Sequence, residues 1–315
     1  MRTLIEKDLH QHFSADIEVK NSFLGGNSIV YQIKVGELDL VVKEYKGEVE
    51  RKIRSFQREK SALHFLNQNE VTFVPKIIYS QERLGFIVTE FILGDIPKPN
   101  RQSIEAILEF TKKLHELFQV DSTFPYAVDA GIKPCDIQTQ ISERIAYVTN
   151  EFKSYIPRIK EIALAIDMRQ QKVVSQSKLT YSVSDLGLHN ALLFRDEIFF
   201  IDLEFFGKDS PYKLIGDFLL HPQNRFSQLD NAYFLDEGMS IFDINRNHLK
   251  DYVGLLAVKW SLICIKRLQN LSREGADLNV LQAQKDIVGY YLEMAELFVH
   301  SGEWEQLFNK ERFSS

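Results

Sequence analysis

Residues 181–222 read YSVSDLGLHNALLFRDEIFFIDLEFFGKDSPYKLIGDFLLHP. The runs ALLF and IFFID are short and apolar, and Arg195, Asp196 and Glu197 lie between them, a pattern that predicts a β-hairpin. Asp185 and Asn190 sit five positions apart in the loop before it, and Asp202 ends its second strand. A loop Asp, a loop Asn and an Asp just beyond a hairpin offer hard oxygen donors for Mg²⁺ and a carboxylate for proton transfer. Each of these residues is also an ordinary turn former, so capping is the competing reading at every position.

Working outward, the chain changes texture twice. Between Asp16 and Val49 three β-rich runs, IEVKNSFLGG, NSIVYQIKVG and ELDLVVKEYKG, are broken by glycine, which predicts an antiparallel meander with Gly36 at one turn. From Gly47 to Asn69 the period becomes helical: Ile53, Phe56, Ala62, Leu63, Phe65 and Leu66 share a face, and the basic residues fall largely elsewhere. PKIIYSQ and LGFIVTEF add two strands. The stretch GDIPKPN is a linker, and the chain beyond it is mainly helical: Arg101–Phe118, Asp136–Met168 with an interruption expected near Pro157, Arg246–Leu271 and Leu278–His300. Thr180–Leu203 is an island of short strands and loops. The expected fold class is therefore α+β, with a five-stranded lobe holding one helix over residues 1–92 and a larger, mainly helical lobe over residues 93–315.

The β-rich part supplies further candidates. Gly25, Gly26, Asn27 and Ser28 lie between two strands, where backbone amides can approach phosphates, although a Gly-Gly turn is also simply a hairpin. Lys43 stands inside LVVKEY on the same face as Val41, so it can point inward or be solvated. Glu59, on the following helix among basic neighbours, is the natural partner of an inward Lys43 and is otherwise an exposed helix glutamate.

Composition excludes several classes. Of 315 residues 44% are hydrophobic and 26% charged, and 23 Phe with 12 Tyr supply a large core, so disorder and fibrous repeats are excluded. Thirty-eight Lys and Arg against 44 Asp and Glu leave a net charge of −6, opposite to what a general nucleic-acid binder carries. No run of apolar residues is long enough for a signal peptide or a membrane span, and two distant cysteines predict reduced thiols, so a soluble, cytoplasmic protein is expected.

Taken in order, the glycine turn, strand lysine, helix glutamate, hinge, D-x4-N loop and downstream I-D resemble the protein-kinase-like fold, and within it the aminoglycoside phosphotransferase and choline kinase group. REKSALHFL resembles that group's glutamate-bearing helix, FIVTEFILGD its strand-to-linker hinge, and LHELF the end of the first helix of its larger lobe. FIDLEFF followed by GDFLLHP is similar to its metal aspartate with a glutamate two residues on, more like the choline and ethanolamine kinases than the aminoglycoside enzymes.

The resemblance implies a bilobal enzyme that transfers phosphate from ATP to a hydroxyl of a sugar, amino sugar or amino alcohol. ATP would lie between the lobes, its phosphates under Gly25–Ser28 and against Lys43, which Glu59 holds. The adenine edge would bond backbone groups near Thr89 and Phe91, with Val88 behind it. Asn190 and Asp202 would ligate Mg²⁺, Asp185 would accept the acceptor's proton, Glu204 would help metal or loop, and Asp217 would support the catalytic loop. The sequence departs from the group in having Val183 where a His is usual and Ser184 where a Gly is usual. The rival reading is a non-catalytic ATP-binding scaffold, and a protein kinase is disfavoured because HRD, DFG and APE signatures are missing. For the acceptor, Trp260, Tyr290, Tyr291 and Trp304 are candidate cage aromatics or simply helix core or surface.

Overall fold

The structure is a computed structural model and describes residues 1, 3–24, 27–170, 178–195 and 197–300. Strands β1 (Ile17–Leu24), β2 (Ser28–Val35), β3 (Leu38–Tyr45), β4 (Ile77–Gln81) and β5 (Phe86–Glu90) form one antiparallel sheet in the order β1-β2-β3-β5-β4. Val35 pairs with Leu38 across a two-residue turn, and Gly36 takes φ +59°, the left-handed conformation that such tight hairpins place on glycine. Helix α2 (Val49–Gln68) follows β3 and buries Phe56, Glu59, Ala62, Leu63 and Leu66.

Alternation along the strands gives the sheet two distinct faces. One face, with Tyr31, Ile33, Leu40, Val42, Phe86 and Val88, is covered by Ile5 and Leu9 of an N-terminal helix, α1 (Thr3–Phe13). The small lobe thus has two helices where the sequence predicts one. The miss has a physical reason: α1 carries only two fully buried apolar residues, one turn apart, so its periodic signal is weak. Tyr79 and Gln81 further anchor α1 by donating hydrogen bonds to Asp8. The opposite face carries Tyr45 and Ile87, which join α2 in the main core.

Beyond a linker, α3 (Arg101–Val120) opens the helical region, with Asn100 capping it through Ser103 N–H. Helices α4 (Pro134–Ala146) and α5 (Ile156–Gln170) come next. The interruption expected at Pro157 lies instead before it: residues 150–155 form a 3-10 turn and Pro157 stands in the first turn of α5, where a missing N–H costs nothing. Short strands β6 (Thr180–Ser182), β7 (Ala191–Phe194), β8 (Glu197–Phe200) and β9 (Gly207–Asp209) then make two ribbons, β6 with β9 and β7 with β8. Helices α6 (Pro211–Leu220), α7 (Gln228–Phe242), α8 (Arg246–Arg273) and α9 (Leu278–His300) complete the larger lobe. Helix α8 is apolar on nearly every side because α4, α5, α6 and α9 all pack on it. Among the described residues no helix is long and apolar enough to cross a membrane, and both cysteines are free thiols.

One polar cluster is built into this core. Lys213 is 2% exposed and lies 2.9 Å from both Asp209 and Asp217, one turn to either side of it. Burial pushes its pKa down, but the two carboxylates outweigh that and raise it well above the usual lysine range. Asp209 also accepts from Gly131 N–H and Ser210 N–H, which ties the segment before α4 to the start of α6. Lys213→Met should leave two buried carboxylates without a cation and destabilise the protein by roughly 3–5 kcal/mol, read as a lower urea midpoint.

Candidate active site

Lys43 projects from the sheet face that packs toward α2. Its Nζ donates to Glu59 Oε2 at 2.7 Å and to Asp202 Oδ1 at 2.9 Å, and Tyr45 O–H donates to the same Glu59 oxygen at 2.7 Å. Burial alone would lower the lysine pKa; Glu59 and Asp202 more than offset it and hold the ammonium charged. This single cation joins β3, α2 and the segment after β8.

Asn190 and Asp202 are brought together by the backbone as well. Ile201 N–H donates to the Asn190 carbonyl at 3.0 Å, so the two residues end adjacent chain segments. The Asn190 side-chain amide donates to the Asp185 carbonyl at 3.2 Å, which leaves its oxygen as the donor for a cation. Glu204 is 3% exposed; its Oε1 accepts from Asn27, and its buried Oε2 has no hydrogen-bond partner among the described residues. A buried carboxylate oxygen without a donor, two residues on from Asp202, fits a hard divalent cation such as Mg²⁺.

Asp185 occupies a loop whose conformation Ser184 decides. Asp185 N–H reaches back to the Val183 carbonyl at 2.8 Å, and Ser184 takes φ +62°, a left-handed conformation that explains why glycine is usual there. The Ser182 hydroxyl accepts Ser184 N–H at 2.9 Å and compensates part of that strain. Val183 itself is buried in the core.

Two histidines then flank the carboxylate. His221 Nε2 lies 3.0 Å from Asp185 Oδ1, and His189 Nε2 lies 3.6 Å from Oδ2. Gln223 N–H donates to His221 Nδ1, so the proton of that ring belongs on Nε2 and points at Asp185. Burial pushes the Asp185 pKa up, yet the two rings outweigh it and hold the carboxyl well below the ordinary range. The three donor atoms lie within 4.8 Å of one another. Imidazole nitrogens suit softer metals than Mg²⁺, so this trio is a poor match for that ion.

Asn224 braces the loop directly, whereas Asp217, expected from the resemblance to support it, reaches it only through Trp260 and His221. Asn224 Nδ2 donates to the Leu186 and Phe218 carbonyls, and its Oδ1 accepts Leu188 N–H. Asp217 is spent on Lys213 and on Trp260 N–H. Trp260 in turn sets its ring edge-to-face on His221, with centroids 5.2 Å apart.

The other predicted residues lie in the small lobe. Gly25 and Gly26, like Trp304 in the larger lobe, fall outside the described residues. Ser28 is buried at the start of β2, and Asn27 Oδ1 accepts from Arg51 while its Nδ2 donates to Glu204, so this turn touches the Asp202 segment directly. Thr89 pairs with Val41 and shares the Lys43 face. Val88 does not: one residue on, it points to the opposite face and is buried with Ile5 and Leu9, so it cannot line a pocket on the Lys43 side. Phe91 N–H is bonded to the Asp39 carbonyl at 3.2 Å, so the sheet uses that amide. The linker itself is held against the hairpin by reciprocal bonds between Asp95 and Leu193.

Sequence reasoning misses His189, His221, Asn224 and Tyr45 as site residues. His189 is legible as the neighbour of Asn190; His221 and Asn224 reach the loop only through the turn after α6.

With this geometry in view, the sequence model of the phosphotransferase enzyme family (APH) matches residues 22–239. The chain belongs to the phosphotransferase enzyme family. No curated protein matches the sequence. Among solved structures, this phosphotransferase is similar to the choline kinase LicA from Streptococcus pneumoniae, with a TM-score of 0.64 and 14% identity over 94% of this chain and 99% of that one. It is similar to a choline kinase from Cryptosporidium parvum Iowa II, with a TM-score of 0.66 and 15% identity over 94% and 96%. It also resembles a spectinomycin phosphotransferase solved with ADP and spectinomycin, with a TM-score of 0.60 and 13% identity over 99% of both chains. The phosphotransferase therefore has the protein-kinase-like fold expected from its sequence.

Gly187 is the point on which the histidines turn. A Cβ there would stand 2.4 Å from His189 Nδ1 and 2.9 Å from His221 Cε1. Gly187→Ala should displace both rings from Asp185 and lower kcat by roughly 10²-fold, since an ångström of misplacement costs about that much, with the KM for nucleotide little changed.

Proposed function

We propose that this phosphotransferase moves the γ-phosphate of ATP to a hydroxyl of a sugar, amino sugar or amino alcohol. The observation that carries the reading is Lys43 held between Glu59 and Asp202 while His221 holds an ionised Asp185 in the neighbouring loop. The division at residues 92 and 93 into a nucleotide lobe and an acceptor lobe belongs to the same proposal. Nucleotide use is further supported by the ADP complex of the spectinomycin phosphotransferase and an AMP complex of LicA.

In this reading Lys43 exchanges part of its contact with Asp202 for phosphate oxygens, and Glu59 keeps it aimed. The turn at Asn27 and Ser28 covers the phosphates. Asn190 and Asp202 would hold Mg²⁺, with Glu204 as a further candidate, and the ion would neutralise charge on the transferring group. Asp185 accepts a hydrogen bond from the acceptor hydroxyl and takes its proton. A carboxylate held below its ordinary pKa is a weak base, which suits phosphoryl transfer: the transition state is loose, so orientation of the hydroxyl matters more than early deprotonation. The His221 bond fixes one Asp185 oxygen, and the substrate meets the carboxylate at its exposed side.

The support that a His at position 183 gives relatives of this fold is replaced here by His221 and Asn224, which favours a working catalytic loop over a scaffold. Asp185→Asn should lower turnover by about 10²–10⁴-fold in a chain that keeps its circular dichroism and Mg·ATP binding. The measurement is acceptor-dependent ATP consumption across sugars, amino sugars, aminoglycosides and amino alcohols. Full turnover in the variant would remove Asp185 from the mechanism. Lys43→Ala should instead raise the KM for ATP, with the acceptor KM little affected; an unchanged ATP requirement would make Lys43 a structural ion-pair member only.

A further inference from the structure

A second polar cleft lies beside the Asp202 segment; it shares Glu204 with the candidate active site, and its arginine wall has no role in the proposed phosphoryl transfer. Arg51, Arg54 and Arg58 succeed one another on α2 at steps of three and four residues, so they share one side of the helix. All three line a cleft of about 480 Å³ that also includes Phe124, Val128 and Glu204. That volume is in the range of small-molecule sites.

The arginines are poorly compensated. Arg51 donates to the neutral Asn27 side chain at 2.7 Å and Arg58 to the Phe206 carbonyl at 3.3 Å. None of the three forms an ion pair among the described residues, and Glu204, the one carboxylate in the lining, gives an oxygen to Asn27. Like charges at this spacing repel, and Arg51 adds to the positive end of the helix dipole. Arg58 is also partly desolvated against the Phe124 ring, 5.8 Å from its centroid, and that burial lowers its pKa. In a chain of net charge −6, three such cations on one wall are a focus for an anion.

We propose that this cleft binds a phosphate-bearing ligand, with the phosphate bridging Arg51, Arg54 and Arg58. Guanidinium groups match phosphate oxygens in bidentate geometry, and Phe124 with Val128 offers an apolar wall to whatever carries the phosphate. The arginine wall is linked to the proposed nucleotide site. Arg51 holds Asn27 and Asn27 holds Glu204, so a ligand that engages Arg51 acts on the turn that covers the ATP phosphates; this linkage rests on the proposed kinase function.

The test is calorimetric titration of the Mg·ADP-saturated protein with inorganic phosphate, glucose 1-phosphate and glucose. One saturable site is expected for the two phosphates and none for glucose, and Arg54→Gln/Arg58→Gln should weaken phosphate binding at least roughly tenfold, since each lost charged hydrogen bond is worth about that much. Tighter binding of glucose 1-phosphate would identify the source as a phosphorylated metabolite, and equal binding as free phosphate. Mg·ADP affinity should be the same in the variant. Absence of saturable phosphate binding, or binding unchanged by the two substitutions, would overturn the site. Should the double variant misfold, Arg54→Gln alone carries the test, because Arg54 is exposed and bonded to no described residue. Absent Mg·ADP binding would count against the nucleotide reading, while the phosphate titration without nucleotide would still decide the cleft.

Discussion

A buried ammonium needs anions around it, and the site is organised by that requirement. Lys43 is 13% exposed on its side chain, and stranding a lysine there unpaired would neutralise it. Glu59 and Asp202 keep it charged, and each comes from a different part of the chain, α2 and the segment after β8. Pairing of this kind adds little net stability once desolvation is counted; what it adds is position. The sheet, the helix on its face and the β7–β8 hairpin are registered against one another by one nitrogen atom. Tyr45, two residues along the same strand, doubles the hold on Glu59.

The larger lobe uses the same device for a different end. Lys213, between Asp209 and Asp217, fixes the start of α6, and α6 delivers His221 and Asn224 to the loop at 183–190. The geometry around Asp185 is thus anchored in the core of the helical lobe, through a short path of charge, helix and turn. Trp260 closes the path by bonding Asp217 and packing on His221. The strain at Ser184, in a conformation that glycine adopts more easily, is tolerated because the residues on both sides are so firmly held.

The faces of the sheet divide the labour. Residues with the parity of Leu40, Val42 and Val88 meet α1 and serve packing, whereas Val41, Lys43 and Thr89 face the cleft. This parity turns Val88 away from the Lys43 side, and the ladder bond at Phe91 uses that amide within the sheet. Both corrections come from backbone geometry that a one-dimensional pattern does not display at the end of a strand.

Much is legible in the residues alone. Alternating apolar runs separated by Gly36 dictate the meander, because a two-residue hairpin needs a positive φ. The change of period after Gly47 dictates α2, and an Asp five residues before an Asn, then a hairpin and a second Asp, marks the chemistry. These are local features, set by dihedral preference and burial period. What only the tertiary structure decided is which distant groups share an electrostatic neighbourhood. His221 reaching Asp185, Asn224 bracing the loop, Lys213 sinking between two carboxylates and three arginines converging on one cleft depend on helix packing. Desolvation and Coulomb energies act through space, and position along the chain does not encode them.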